Sequence, residues 1–255
     1  MTALPDSFLR LPIAHRGYHD TQSGIIENSR AAFRAAIKAG YAIELDVQLS
    51  ADGHAMVFHD YEMSRLTEQS GATRTRTRDE LIQIGLKGCD ELIPTLPEIL
   101  TLIAGRVPVL IETKDQDGAM GPNVGPLEQS VANALTDYVG PVAVMSFNPH
   151  SVIALAKFAP DVARGLVTCH FGAEHWPLLN EATRSHLRTI SDYERAGACF
   201  ISHRFDDLSN PRIADLRAAG ASIICWTIRS QKDDTEARKV ADNVTFEGYA
   251  AVAAS

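Results

Sequence analysis

Two histidines, His15 and His59, each close a short apolar run, and each is followed by a charged residue, Arg16 and Asp60 respectively. Imidazole titrates near neutrality, so a pair aimed at one substrate can protonate a leaving alkoxide and activate a nucleophile. Glu44 and Asp46 lie two residues apart in the β-prone run Ala42–Leu49, a spacing that puts both carboxylates on one face of a strand. Glu112 closes another such run, Val107–Glu112, and Lys114 follows it. Acids set among Ile43, Leu45 and Val47 are costly to bury unless protonated, paired or metal-bound. Three carboxylates with no thiolate form a donor set for a hard divalent cation, Mg²⁺ or Ca²⁺, with Mn²⁺ as a further option. The competing reading pairs them with Arg16 and Lys114 in a structural salt-bridge network. Charge favours the metal: three acids against two bases leave one net negative charge, which repels a phosphodiester, and a divalent cation converts it to one net positive. Arg16 offers a fork for phosphate oxygens and Lys114 a point charge.

These residues meet only if the strands that carry them close into a ring. Eight β-prone runs recur along the chain: Leu11–Ala14, Ala42–Leu49, Val107–Glu112, Val142–Phe147, Gly165–Thr168, Ala198–Ser202, Ser222–Ile228 and Asn243–Phe246. Amphipathic stretches separate several of them, as in Ser29–Ala39, with Asn28 expected as N-cap and Gly40 as stop. Eight β/α units in one chain predict an α/β fold of the (β/α)₈ TIM-barrel type, a single domain over residues 1–255, with the site at the C-terminal strand ends. After the second strand, Ala51-Asp52-Gly53 reads as a hairpin turn and His54–His59 as a returning strand, so residues 50–92 form an insertion. Thr73 to Arg78 is expected to be a solvated loop, and Thr95 or Leu96 to cap a helix with Pro97 in its first turn.

A formal net charge of −8 argues against nucleic acid or an anionic lipid surface as partner. No leader pattern and no membrane span is apparent, so a cytoplasmic location is expected, with the oligomeric state left open. Cys89, Cys169, Cys199 and Cys225 lack C-x-x-C spacing and read as buried free thiols. The histidines other than His15 and His59 are read as surface or local hydrogen-bonding residues, His19, His170 and His203 among them.

Taken in order, His15-Arg16-Gly17, Glu27-Asn28-Ser29, Glu44-Leu45-Asp46-Val47, Val57-Phe58-His59-Asp60, Ile93-Pro94-Thr95-Leu96 and Ile111-Glu112-Thr113-Lys114 resemble the glycerophosphodiester phosphodiesterases. The resemblance implies hydrolysis of a small-molecule glycerophosphodiester to glycerol 3-phosphate and an alcohol, with His15 and His59 as acid and base. It also implies Glu44, Asp46 and Glu112 as metal ligands and Arg16 and Lys114 on the phosphate. Phe147 and Trp226 are expected to wall the substrate pocket. The C-terminal half departs from the family: Arg229 stands where relatives often have Asn, and the last strand reads Thr245-Phe246-Glu247-Gly248 instead of ending in Thr-Asp. Arg229 is expected to bias the pocket toward anionic or hydrogen-bonding alcohols, although strand alternation sets it opposite Trp226. The rival readings are a sphingomyelinase D-like phospholipase and a binding barrel without turnover.

Overall fold

The computed structural model describes residues 2–253. Strands β1 (Ile13–Ala14), β2 (Ala42–Leu49), β3 (Ala55–Val57), β4 (Val109–Thr113), β5 (Val142–Ser146), β6 (Ala163–Thr168), β7 (Phe200–Arg204), β8 (Ser222–Ile228) and β9 (Asn243–Phe246) form one sheet. Apart from β3 they are parallel, and β1 pairs with both β2 and β9, so eight strands close into a barrel. Helices follow the strands on the outside: α2 (Arg30–Ala39), α4 (Leu96–Ile103), α5 (Pro126–Leu135), α6 (Pro149–Phe158), α7 (Glu181–Arg188), α8 (Pro211–Ala218) and α9 (Gln231–Ala237), while α1 (Ser7–Arg10) precedes β1 and α3 (Arg78–Leu81) lies in the insertion. The expected (β/α)₈ barrel is therefore the observed fold.

Strand alternation sorts the side chains into two cores. Ile43, Leu45 and Val47 face outward with Val109 and Ile111 against the helices, whereas Ala42 points to the axis with Leu110, Ala143, Ala163, Phe200 and Ile224. By the same alternation Glu44 and Asp46 stand above Ala42 inside the barrel, and Glu112 above Leu110. Leu4 and Phe8 from the segment around α1 join the inner core. Asn243 on β9 latches that segment, donating from Nδ2 to the carbonyls of Phe8 and Leu11 at 2.6 and 2.7 Å.

The insertion starts with β3, which runs antiparallel to β2 with Val47 opposite Val57. It packs a small core of its own, including Met56, Phe58, Met63 and Leu81. Phe58 N donates to Asp46 O at 3.0 Å, so the chain leaving β3 delivers His59 to the rim above β2.

Several local expectations need correction. The N-cap of α2 is Ser29, whose side chain accepts from Ala32 N; Asn28 sits in the left-handed region at φ 56° with its side chain committed to Asp46. Thr73 is buried and donates to Asp60 O at 3.1 Å, and Arg78 opens α3, so Thr73 to Arg78 is not simply a solvated loop. All four cysteines are free, but only Cys169 and Cys225 are buried. Among the described residues no helix is long and apolar enough to cross a membrane.

Gly165 on β6 leaves the space that the Phe200 ring fills, because a Cβ there would stand 2.4 Å from a ring carbon. Gly165→Ala is therefore expected to cost about 1–3 kcal/mol through overpacking, read as a lower urea midpoint, with Gly165→Ala/Phe200→Leu recovering part of it. An unchanged midpoint would show that the barrel floor accommodates the methyl group.

Candidate active site

The site is built at the strand ends that the inner face of the barrel presents. After β1 the chain turns sharply: Arg16 adopts φ 55°, and Gly17 at φ 79° passes so close to α2 that a Cβ would lie 2.8 Å from that of Ala32. The turn is held by Arg16 N donating to Glu44 Oε2 at 2.8 Å and Asn28 N donating to Arg16 O at 2.9 Å. A left-handed non-glycine residue is strained, and here the buried carboxylate of Glu44 is one of the partners that fix it.

Glu44, Asp46 and Glu112 are all buried, and one oxygen from each lies within 4.8 Å of the others. Asp46 accepts from Asn28 Nδ2 at 2.9 Å and contacts Lys114 Nζ at 2.7 Å, with Arg16 Nε at 3.4 Å. Lys114 Nζ also lies 2.5 Å from Glu112 Oε1, so one ammonium bridges two of the three acids. Burial and the neighbouring Asp46 and Glu112 push the Glu44 carboxyl up. Burial acts in the same sense on Asp46, but Lys114, His59 and Arg16 overcome it and hold that carboxyl well down. Glu44 Oε1 is buried without a hydrogen-bond partner. An orphaned oxygen within a three-carboxylate set fits a hard divalent cation.

The two histidines are anchored alike. His15 Nδ1 lies 2.6 Å from Glu247 Oε2, and His59 Nδ1 lies 2.6 Å from Asp60 Oδ1. Each carboxylate is backed by an arginine: Arg229 Nε reaches Glu247 Oε1 at 2.8 Å, and Arg65 grips Asp60 through Nε and Nη2 at 2.6 and 2.9 Å. Arg65 also donates to Glu27, which Arg16 Nη1 contacts at 2.7 Å. A neutral imidazole donating Nδ1–H in this way keeps Nε2 as the acceptor. Burial holds His15 below its ordinary pKa despite the Glu247 hydrogen bond, whereas Glu247 itself, against the penalty of burial, is drawn well down by His15 and His19.

His15, Arg16, Glu44, His59, Glu112 and Lys114 line one cavity of about 160 Å³, with Phe147 and Trp226 on its far wall. Asp46 lies beneath, so the structure brings together every residue expected at the site. The two aromatic rings pack edge to face with centroids 5.5 Å apart. Arg229 also lines the cavity. A register irregularity between Cys225 and Ile228 shifts the alternation, putting Cys225 and Ile228 together in the outer core and freeing Arg229 to share the inner side with Trp226. Arg229 is nevertheless 66% exposed, and its charge is matched by Glu247.

Glu247, Asp60, Arg65, Glu27 and Asn28 also belong to the site, although none of them was expected to be a site residue. Glu247 was within reach of parity, since Asn243, Thr245 and Glu247 share the face of β9 that looks inward. His19, expected at the surface or in local bonds, lies 3.7 Å from Glu247. His203 is fully buried between Thr168 Oγ1 and Asp207, a local hydrogen-bonding role without surface exposure. His170 pairs with the exposed Glu174.

Residues 15–244 match the model of the glycerophosphoryl diester phosphodiesterase family. A glycerophosphodiester phosphodiesterase of Caldanaerobacter subterraneus subsp. tengcongensis is 35% identical over 167 residues, 62% of this chain, and the match spans 66% of that relative, just short of two thirds. Among solved structures, an Oleispira antarctica phosphodiesterase, determined in complex with the product sn-glycerol-3-phosphate, superimposes with a TM-score of 0.74 at 23% identity over 93% of each chain. A glycerophosphodiester phosphodiesterase from Parabacteroides distasonis gives 0.72 at 22% identity over 92% of each.

The depressed Asp60 carboxyl sets an acid limb for stability. Burial alone would raise it, but the His59 and Arg65 hydrogen bonds hold it well below the usual range. A group whose folded pKa is depressed stabilises above its unfolded value and loses that contribution as pH falls toward the folded one. The urea midpoint of the wild type should therefore fall more steeply between about pH 5 and pH 3 than that of Asp60→Asn. Parallel acid limbs would remove Asp60 from the linkage.

Proposed function

The chain belongs to the glycerophosphoryl diester phosphodiesterase family, and on that premise we propose that it hydrolyses glycerophosphodiesters to glycerol 3-phosphate and an alcohol. The observation that carries this reading is two carboxylate-anchored histidines facing one small cavity with three buried acids and two cations. Barrel and insertion act as one domain, because the insertion supplies His59 and Asp60 while the strand ends supply the rest.

Arg16 and Lys114 receive the non-bridging phosphate oxygens, the guanidinium as a fork and the ammonium as a point charge. Glu44, Asp46 and Glu112 would hold a divalent cation, Mg²⁺, Ca²⁺ or Mn²⁺, which when bound would supply Lewis-acid stabilisation of charge developing on the phosphoryl group. His15, buried and held neutral with Nε2 free, takes the proton of the attacking hydroxyl, either water or a glycerol hydroxyl of the substrate. His59 is the more exposed of the pair, at 31% against 14%, and borders the wider hollow beside the site, so in its doubly protonated form, with Nδ1–H on Asp60, it gives the Nε2 proton to the departing alcohol and becomes neutral. Asp60 and Glu247 fix the two rings, and Phe147 and Trp226 exclude water from the far wall.

His15→Ala and His59→Ala should each lower kcat by about 10²–10⁴-fold with the fold intact by circular dichroism. A p-nitrophenyl diester, whose leaving group needs no proton, should restore turnover in His59→Ala and leave His15→Ala slow. Rescue of His15→Ala alone would reverse the two assignments, and near-normal kcat in either variant would remove that histidine from the reaction.

Metal binding has a readout independent of turnover. Chelated protein should rise in Tm when Mg²⁺, Mn²⁺ or Ca²⁺ is added, by a stabilisation of about 2.7 kcal/mol at a hundredfold excess over Kd. The shift should vanish in Glu44→Gln. An equal shift in wild type and variant would place the ion elsewhere.

A further inference from the structure

A second cavity, of about 500 Å³, opens beside the catalytic one and shares His59, Glu112, Lys114 and Phe147 with it. Three separate segments build its walls: Tyr61 comes from the insertion, Met120 from the loop between β4 and α5, and Trp176 from the loop between β6 and α7. The rings are braced against one another, with Trp176 centred 5.0 Å from Phe147 and 5.2 Å from Phe171. Tyr61 is 47% exposed, a large ring left open at the rim of the site.

The charges on this wall are unequal. Its two cations leave no net positive wall: Arg65 lies between Asp60 and Glu27, and the one net positive charge left when a divalent cation sits on Glu44, Asp46 and Glu112 beside Arg16 and Lys114 is met by the phosphodiester's own negative charge. Two further lining carboxylates meet neutral donors. Glu62 accepts from the backbone N–H groups of Ser64 and Gly71, and Asp115 from Met120 N and Asn148 Nδ2. A polyol placed here would face rings that offer few hydrogen-bond partners, and an anion would meet an acidic rim. A compact cation instead finds ring faces and surplus negative charge. On the opposite side of the scissile phosphate, Arg229 is matched by Glu247 and does not oppose such a group.

Resting on the phosphodiesterase reading above, we propose that the Tyr61–Trp176 cavity is the leaving-alcohol subsite and selects alcohols that carry a compact cation, of the choline or ethanolamine type, over polyols and phosphorylated alcohols. The Arg229 expectation drawn from the sequence pointed the other way. His59, shared by both cavities, is then the group that meets the alcohol oxygen as it departs.

The test measures glycerol 3-phosphate released from glycerophosphocholine, glycerophosphoinositol and the uncharged 3,3-dimethylbutyl isostere of the choline diester. Wild type should favour the choline diester over the other two by about tenfold or more in kcat/KM, the size of effect that cation–ring contacts supply. Trp176→Ala should lower kcat/KM for the choline diester about tenfold while changing the inositol diester less than about twofold, and Trp176→Phe should keep the preference. Equal kcat/KM across the alcohols, or a uniform loss in Trp176→Ala, overturns the subsite. Equal rates for the choline diester and its isostere overturn the cationic assignment. Absence of turnover on every diester, with metal supplied, instead sinks the hydrolase reading on which the inference rests.

Discussion

Burying Glu44 and Asp46 side by side inside a barrel is the constraint around which the rest of the site is arranged. Two carboxylates in a dry mouth cannot both stay charged without compensation. The chain answers with a lysine from β4's end, an arginine forced into a left-handed turn so that its amide reaches Glu44, and an asparagine removed from helix capping to serve Asp46. Each answer creates a further requirement. Arg16 must be flanked by Gly17, because α2 leaves no room for a side chain there. Glu27 must balance Arg16, and Arg65 from the insertion then balances Glu27 and Asp60 together. One electrostatic problem on β2 thus propagates to the barrel rim and fastens the insertion to it.

Much of this was legible because parity and spacing are local properties. Glu44 and Asp46 on one face of Ala42–Leu49, and the strand boundaries of β2, β8 and β9, follow from a period of two and a change of composition. Asn28 was misread because capping preference is a statistical statement about side chains next to helices, and a buried carboxylate eighteen residues away outweighs it. The parity objection to Arg229 fails for a related reason: a register irregularity in β8 breaks the alternation that set it opposite Trp226, and Arg229 lines the cavity. Glu247 was passed over as a departure from the family pattern, although its inward parity and its carboxylate were both on view. Pairings such as Arg65 with Glu27 join residues whose proximity depends on how the insertion folds back, and no spacing rule in the sequence reports that.

The two histidines show why a barrel suits chemistry that needs two proton carriers held apart. His15 follows β1 and leans on Glu247 just past β9, so its position is set by the barrel itself. His59 rides on the insertion, whose small core of Met56, Phe58, Met63 and Leu81 is separate from the barrel's. Both rings are oriented by a carboxylate with an arginine behind it, yet one anchor is a distant residue and the other the next residue in the chain. On the proposed assignment, a base on the barrel and an acid on an element with its own small core suit a reaction in which the nucleophile is small and the leaving group varies.

That asymmetry extends to the cavities. The catalytic hollow is smaller and walled by strand ends, while the wider hollow adds three connecting segments to the end of β4. Loops accept substitution more readily than strand interiors, because their side chains do not have to tile a closed core. On the proposed reading, chemistry common to all phosphodiesters resides where the fold allows least change, and discrimination among alcohols where it allows most. Phe147 is the joint between the two, packed against Trp226 on one side and Trp176 on the other. The two hollows also share His59, Glu112 and Lys114, so on the proposed reading a change confined to Tyr61 or Trp176 alters which alcohol is accepted while the groups around the phosphate stay as they are.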